Sequence, residues 1–224
     1  MKERIITGLT EIDKKLNGLK VGRLYIAAGR IGEGKTSFGA ALCERLGQQA
    51  LFISFTPAYT CHNMIGGFTD IEELTRYLIN NFMCDSEGRS RNESRLKLIV
   101  IDEFERIICR DGRKFQTSYR DAFCALEGIA QGFDVCIVVT VSLKRPSSRR
   151  FNPLPPQLNQ LYNYKTQLLF STGVFLIYRP ELYGEEPEDS LKALFYEKNN
   201  PAPIDLTFKW ETLEKTITIP HVDN

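Results

Sequence analysis

Short apolar runs alternate with amphipathic segments along most of this chain. The runs are six to eight residues long and nearly continuous, which is typical of strands buried on both faces of a parallel sheet. They lie at residues 23–28, 50–55, 96–103 and 134–141. The segments with apolar residues at helical spacing lie at residues 37–46, 70–82 and 115–132. This order predicts an α/β fold with a mostly parallel central sheet flanked by helices.

The two ends of the chain complete this prediction. Residues 173–179 and 191–198 are predicted as late strands, and the alternating residues 204–210 and 216–219 suit an antiparallel hairpin at the sheet edge. Near the amino terminus, Thr10 is the predicted N-cap of a short helix.

No internal repeat or linker interrupts the 224 residues, so residues 1–224 are expected to form a single domain. Within it, the Ser-, Arg- and Glu-rich residues 84–95 predict an exposed, mobile loop, and residues 143–157 a basic, Pro-rich loop.

Composition narrows the class of protein only slightly. The 29 basic and 28 acidic residues give a net charge of +1, so the overall charge indicates no partner. The six cysteines include no C-x-x-C pair and the chain has two histidines, which favours buried cytosolic thiols over a zinc site. No apolar run approaches the length of a membrane span. We therefore expect a cytoplasmic protein with no membrane partner.

Residues 29–36 carry the main chemical signal, because they match G-x-x-x-x-G-K-[ST] between a predicted strand and a predicted helix. In such a phosphate-binding loop, glycines allow backbone N–H groups to surround a phosphate, and the helix start adds its unpaired amides. Lys35 is expected to neutralise the β- and γ-phosphates, and Thr36 to ligate Mg²⁺. The predicted ATP-binding residues are Gly29, Arg30, Ile31, Gly32, Glu33, Gly34, Lys35, Thr36 and Ser37.

A second signal is the carboxylate pair that closes the strand at residues 96–103. Asp102 is predicted to organise Mg²⁺ together with Thr36, since such an aspartate lies at the carboxyl end of a strand in phosphate-loop enzymes. Glu103 is a candidate to orient the attacking water. The alternative interpretation is that Glu103 is a solvated carboxylate near the start of a helix.

A third signal is a cluster of four cations in the basic loop. Lys144, Arg145, Arg149 and Arg150 directly follow the predicted strand at residues 134–141. Such a loop suits contact with the phosphate backbone of single-stranded DNA. The alternative is an ordinary solvated surface.

Five segments in the same order resemble the C-terminal ATPase domain of replicative DNA helicases of the DnaB type. They are residues 7–13, the phosphate loop with residues 35–38, and residues 138–145, 177–183 and 199–201. The resemblance implies a RecA-like core and a homo-oligomer, as a hexameric ring or filament, that acts on single-stranded DNA in replication. It further implies that ATP and Mg²⁺ bind between subunits.

The departures from this family bear on hydrolysis. Thr56 occupies the position at which the family carries a catalytic glutamate, and Ser142 the position of a glutamine. Lys198 aligns with the arginine that, in this family, completes the nucleotide site of the neighbouring subunit. It is therefore the candidate catalytic cation acting across a subunit interface. The alternative interpretation is that Lys198 is an ordinary surface lysine. The family's N-terminal domain is not in this sequence, and a replication protein partner is the expected substitute.

Three hypotheses follow. The first is a DNA-dependent ATPase of the helicase type, with Lys35, Asp102, Glu103 and Lys198 as catalytic residues. The second is an ATP-binding accessory protein that hydrolyses ATP poorly and controls the assembly of a replication factor. The third is a signalling ATPase related to recombinase- or clock-type RecA proteins.

Overall fold

A computed structural model gives the architecture of the chain. It describes residues 3–54, 64–65, 68, 70–83, 96–108, 115–143, 154–162, 164–185, 189–198, 200 and 202–209. The strands are β1 (Arg4–Ile5), β2 (Leu19–Lys20), β3 (Leu24–Gly29), β4 (Ala50–Ile53), β5 (Met64–Ile65), β6 (Leu98–Ile101), β7 (Cys136–Ser142), β8 (Gly173–Tyr178), β9 (Ser190–Glu197) and β10 (Ile204–Lys209). The α-helices are α1 (Thr10–Leu16), α2 (Lys35–Leu46), α3 (Ile71–Leu78), α4 (Glu105–Ile108), α5 (Phe115–Gly132) and α6 (Tyr164–Phe170).

Within the described residues, eight strands form one sheet in the order β10-β9-β8-β3-β7-β6-β4-β5. The six strands from β8 to β5 are parallel, whereas β9 is antiparallel to β8 and β10 is antiparallel to β9. The predicted mostly parallel sheet with an antiparallel edge is therefore confirmed. At this edge β10 pairs with β9, with Ile204 opposite Phe195. The strand predicted at residues 216–219 lies outside the described residues.

The core has two parts, one on each face of the sheet, because successive side chains of a strand point to opposite faces. In β3, Ile26 and Ala28 face the part that includes α3 and α5. Tyr25 and Ala27 face the part that includes α1 and α2. In the second part, the ring of Phe38 from α2 lies 5.4 Å from that of Phe175 in β8. The continuous apolar runs thus form strands covered on both sides.

Helix α2 packs close to the sheet because its second turn carries no side chain at Gly39. A Cβ at Gly39 would lie 2.8 Å from Cγ1 of Val100 in β6, closer than packed carbon atoms approach. Glycine therefore sets how closely the helix lies on the strands, and with it the position of Lys35 at the first turn.

Some local predictions were wrong in detail. Leu9, not Thr10, is the N-cap of α1, and it makes no side-chain capping bond. Instead, the carboxylate of Asp13 accepts hydrogen bonds from the amides of Thr7 and Gly8, both at 2.8 Å. The predicted helix at residues 70–82 is α3 followed by a π-helical turn, Ile79–Met83.

The cysteines only partly match the prediction of buried thiols. Cys43 and Cys136 are buried, but Cys124 is exposed on α5. In the part of the chain that the structure describes, no helix is long and apolar enough to cross a membrane. Residues 84–95 and residues 144–153 of the basic loop lie outside the described residues.

Candidate functional site

The phosphate loop joins the carboxyl end of β3 to the first turn of α2. Gly32 and Gly34 have φ angles of 83° and 88°, in the left-handed region that glycine adopts without strain. Gly29 lies under the loop, where a Cβ would be 2.5 Å from the carbonyl oxygen of Ile177 and 3.2 Å from Cγ of Lys35. The first four amides of a helix have no intrahelical acceptor, so the start of α2 presents donors to an anion.

Lys35 lies among acidic groups at the base of this loop. Its Nζ donates to the carbonyl oxygen of Arg30 at 3.0 Å. Burial lowers the pKa of Lys35, while the charges of Glu105, Asp102 and Glu33 act to raise that pKa. The ammonium is therefore partly desolvated and lies within the influence of several carboxylates, which suits a group that takes up phosphate charge.

Asp102 follows β6 and faces Thr36. The Thr36 hydroxyl donates to the carboxylate, with Oγ1 3.0 Å from Oδ2 and 3.2 Å from Oδ1. The hydroxyl of Thr140 in β7 donates to Oδ1 at 2.6 Å. Burial raises the pKa of Asp102, and these two hydrogen bonds oppose that increase. A hydroxyl and a buried carboxylate that meet in this way provide the oxygen ligands that Mg²⁺ prefers, so the residues fit the expected ion.

Two further residues of the loop hold it in place through their side chains. Glu33 is only 2% exposed; its carboxylate accepts from the amide of Arg30 at 2.6 Å and from the hydroxyl of Tyr183. Nη1 of Arg30 donates to the Tyr183 hydroxyl at 2.6 Å and to the carbonyl oxygen of Leu154 at 3.2 Å, and Nη2 donates to Gln160 at 3.1 Å. Burial and the Glu33 carboxylate raise the pKa of Tyr183 to about 12.

The other predicted loop residues differ in exposure. Ile31 is 75% exposed at the tip, and Ser37 is buried in the first turn of α2. Of the residues predicted to bind ATP, Arg30 and Glu33 therefore brace the loop with their side chains, and backbone amides remain as the groups that can meet phosphate.

Glu103 lies beside Asp102 but its carboxylate is engaged. It adopts a left-handed φ of 51°, and its amide donates to the Thr140 hydroxyl at 2.9 Å. Its carboxylate forms an ion pair with Arg106 at 2.6 Å. The structure thus brings Glu103 to the correct edge of the sheet with its charge balanced by an arginine.

Glu105 is an acidic residue of this site that the sequence interpretation missed. It is the first residue of α4, and its carboxylate accepts a hydrogen bond from the amide of Ser142, the last residue of β7. Burial raises the pKa of Glu105. The sequence offered only a third carboxylate close to Asp102, because Asp102 precedes α4 and Glu103 has a left-handed φ of 51°, so helical spacing does not relate Asp102 to Glu105.

Lys198 lies near the amino-terminal ends of the parallel strands, whereas the phosphate loop lies at their carboxyl ends. It follows Glu197, which pairs with Gly173, and Gly173 pairs with Tyr25 near the start of β3. Four residues of strand separate Tyr25 from Gly29, or about 13 Å at 3.3 Å per residue. Nζ of Lys198 donates to the carbonyl oxygen of Leu169. Lys198 therefore does not join the phosphate loop of its own chain, and Thr56, Lys144, Arg145, Arg149 and Arg150 lie outside the described residues.

The order of the strands and the loop between β3 and α2 give the chain a mixed α/β fold of the RecA-like type. No family model matches the chain, and no curated protein matches it. Among solved structures, the ATPase domain of a replicative helicase of the DnaB family superposes with a TM-score of 0.69 at 13% sequence identity. The match covers 92% of this chain and 87% of that chain. The resemblance found in the sequence is thereby confirmed as a shared fold.

Proposed function

We propose that this protein is a magnesium-dependent ATPase that acts on single-stranded DNA in replication, as a ring or filament of identical subunits. The observation that carries the proposal is the contact of Thr36 with Asp102 beside Lys35, at the carboxyl end of the parallel strands. Open α/β sheets bind their ligands at this edge.

Each residue has a separate role. The backbone amides of the loop and the Lys35 ammonium would hold the phosphates of ATP. Thr36 and Asp102 would hold Mg²⁺, which withdraws charge from the phosphate oxygens and stabilises the transferring group. The buried Glu33 carboxylate keeps the loop in shape through Arg30 and Tyr183.

The position of Lys198 supports an oligomer. Because Lys198 lies at the sheet edge away from its own phosphate loop, it can serve a nucleotide only on a neighbouring subunit. An ammonium supplies charge to a γ-phosphate but lacks the bidentate fork of arginine, so we expect weak stimulation across the interface. Sedimentation with and without a non-hydrolysable ATP analogue tests this proposal, and a monomer in both conditions would leave Lys198 without a site to serve.

The basic cluster supports contact with DNA. Ser142 ends β7 at the carboxyl edge of the sheet, the edge that also carries the phosphate loop, and the cluster begins two residues later in the sequence. The chain re-enters the described residues at Leu154, whose carbonyl oxygen accepts from Arg30. If DNA binds the basic loop, the contact of Leu154 with Arg30 would connect that loop to the phosphate loop.

The central experiment measures ATP binding and turnover with and without single-stranded DNA. We expect DNA-stimulated turnover in the wild type and loss of both binding and turnover in Lys35→Ala. Lys97→Ala is the control, since Lys97 forms a surface ion pair with Glu3 at 3.1 Å, away from the loop. Absence of ATP binding in the wild type would refute the proposal.

A second candidate function is an ATP-binding accessory protein that controls assembly with a replication partner. Two observations favour it: threonine replaces the expected glutamate at position 56, and Arg106 neutralises Glu103. Tight ATP binding and an ATP-dependent change of assembly, with no turnover in the presence of DNA, would support this candidate over the motor.

A measurement of DNA binding distinguishes the third hypothesis, a signalling ATPase, from the DNA-dependent ATPase. Replacing Lys144, Arg145, Arg149 and Arg150 together by alanine should weaken DNA binding and reduce its salt dependence if the loop contacts phosphates. Unchanged affinity would favour a signalling ATPase. We also propose a cytoplasmic location, because Cys124 and Cys136 are free thiols, which suits a reducing compartment.

A further inference from the structure

The strand ends place Glu105 next to the base of the phosphate loop. Its carboxylate accepts the amide hydrogen of Ser142, and Ser142 lies directly opposite Gly29 in the pairing of β7 with β3. The amide of Leu143 also donates to the carbonyl oxygen of Gly29 at 3.0 Å. Glu105 therefore contacts the residue of β7 that pairs with Gly29, where the loop begins.

The charges around Lys35 indicate the same location. Among the carboxylates that act on the Lys35 ammonium, Glu105 has the largest effect, ahead of Asp102, Glu33 and Glu103. Coulomb interactions weaken with distance and with exposure to water, so a large effect requires proximity, poor solvation or both. Glu105 therefore lies close enough to act on the Lys35 ammonium, the group that meets the terminal phosphates of a bound nucleotide in phosphate-loop proteins.

Glu103 is less suited to activate water than Glu105. The Glu103 carboxylate binds Arg106 at 2.6 Å, so a strong cation already occupies it. Glu105 instead accepts neutral backbone amides, which orient the carboxylate without neutralising its charge. Burial raises the pKa of Glu105, and a carboxylate with a raised pKa is a stronger base.

We propose that Glu105 supplies the catalytic base that position 56 lacks, an inference that rests on the proposed ATPase function. The water oxygen attacks the γ-phosphorus and forms the new P–O bond. The bond from that phosphorus to the β,γ-bridging oxygen breaks, ADP leaves with the bonding electron pair, and the water proton passes to Glu105. The products are ADP and inorganic phosphate, and Glu105 then releases its proton to solvent.

The test compares Glu105→Gln with Glu127→Gln and with Glu103→Gln. A glutamine at 105 retains an oxygen that can accept the Ser142 amide, but it cannot take a proton. We expect Glu105→Gln to lower turnover by about 10²- to 10⁴-fold, as for loss of a general base. Glu127→Gln is the matched control and should change turnover by less than about threefold, since the Glu127 carboxylate lies on α5 and accepts a hydrogen bond from Gln131 of the same helix at 3.0 Å. A larger loss of turnover in Glu103→Gln than in Glu105→Gln would assign the base to Glu103 and overturn the proposal.

A second readout does not depend on hydrolysis. Removing a negative charge next to the γ-phosphate should favour ATP over ADP, so the ratio of the ADP Kd to the ATP Kd should rise in Glu105→Gln and not in Glu127→Gln. If the wild type binds ATP but does not hydrolyse it, the motor proposal fails. The ratio then decides separately whether Glu105 faces the γ-phosphate, and an unchanged ratio overturns that placement.

Protein stability is measured alongside both readouts. If Glu105→Gln melts at a lower temperature than the wild type, Glu105→Asp replaces it, since aspartate keeps the charge and withdraws the carboxylate by one methylene. We then expect reduced turnover with an unchanged affinity ratio. If Glu105→Gln or Glu105→Asp hydrolyses ATP as fast as the wild type, the proposed role of Glu105 is overturned.

Discussion

The Thr36 hydroxyl donates to the Asp102 carboxylate at 3.0 Å, joining the first turn of α2 to the end of β6 across 66 residues of sequence. Strand β7 lies between β3 and β6, the strands that lead into these two residues. Its Thr140 completes the contact by donating to the same carboxylate. Three parallel strands therefore have to assemble before the candidate Mg²⁺ site exists.

This arrangement predicts that Asp102→Asn weakens ATP binding only when Mg²⁺ is present. An amide retains the size of the carboxylate but loses its charge, so we expect the Mg²⁺-dependent affinity to fall by about 10- to 100-fold. Titration of ATP in magnesium and in EDTA measures the difference. Thr36→Ser is the control, since it keeps the hydroxyl, and an equal loss in EDTA would contradict the assignment.

The second prediction concerns two helical glycines with different surroundings. Gly39→Ala should destabilise the protein by about 1–3 kcal/mol, because the new methyl group would lie 2.8 Å from Val100. Gly128→Ala should stabilise it by about 0.5–1 kcal/mol, because Gly128 is exposed on α5 and nothing lies within 4 Å of its Cβ position. Urea unfolding of both variants measures the two changes. Shifts in the same direction would contradict this account of the packing of α2.

The fold, and the meeting of Lys35, Thr36 and Asp102 at one edge of the sheet, could be predicted from the sequence because local patterns encode them. Glycine spacing predicts the loop that carries Lys35 and Thr36, and strand periodicity predicts that Asp102 lies at the carboxyl end of a strand. Glu105 was missed because its contact with Ser142 depends on the alignment of β6 with β7, and the position of Ser142 beside Gly29 depends on the alignment of β7 with β3.

The side chains within the motif show the same limit. Arg30 and Glu33 occupy positions that the motif leaves open, so their partners cannot be read from spacing. Tyr183, which contacts both, lies 150 residues from Glu33. Contacts between distant residues depend on tertiary packing, which periodicity does not report.

The third prediction tests this bracing of the loop. Tyr183→Phe removes a hydroxyl donor from the buried Glu33 carboxylate and an acceptor from Arg30, and an unmet buried polar group costs about 1–3 kcal/mol. We expect a loss of stability in that range and weaker ATP binding. Tyr196→Phe is the matched control, since within the described residues the Tyr196 hydroxyl makes no hydrogen bond. Equal effects of the two changes would argue against a specific brace.

The fourth prediction concerns stability at alkaline pH. Tyr25 is 3% exposed, and burial raises its pKa well above the ordinary value of about 10. In the window above pH 10, the unfolded chain loses the Tyr25 proton while the folded protein keeps it, so stability must fall as pH rises.

Substitution of Tyr25 by phenylalanine isolates this contribution. Below pH 9, Tyr25→Phe should be less stable than the wild type by about 0.5–1.5 kcal/mol, because the amide of Lys20 loses its bond of 3.0 Å to the hydroxyl. Above pH 10, the wild type should lose stability faster than the variant, since only the wild type has this proton to lose on unfolding. Urea unfolding at intervals from pH 8 to 11 should therefore show two curves that converge. A constant gap across that range would mean that Tyr25 ionises as easily in the folded protein as in the unfolded chain.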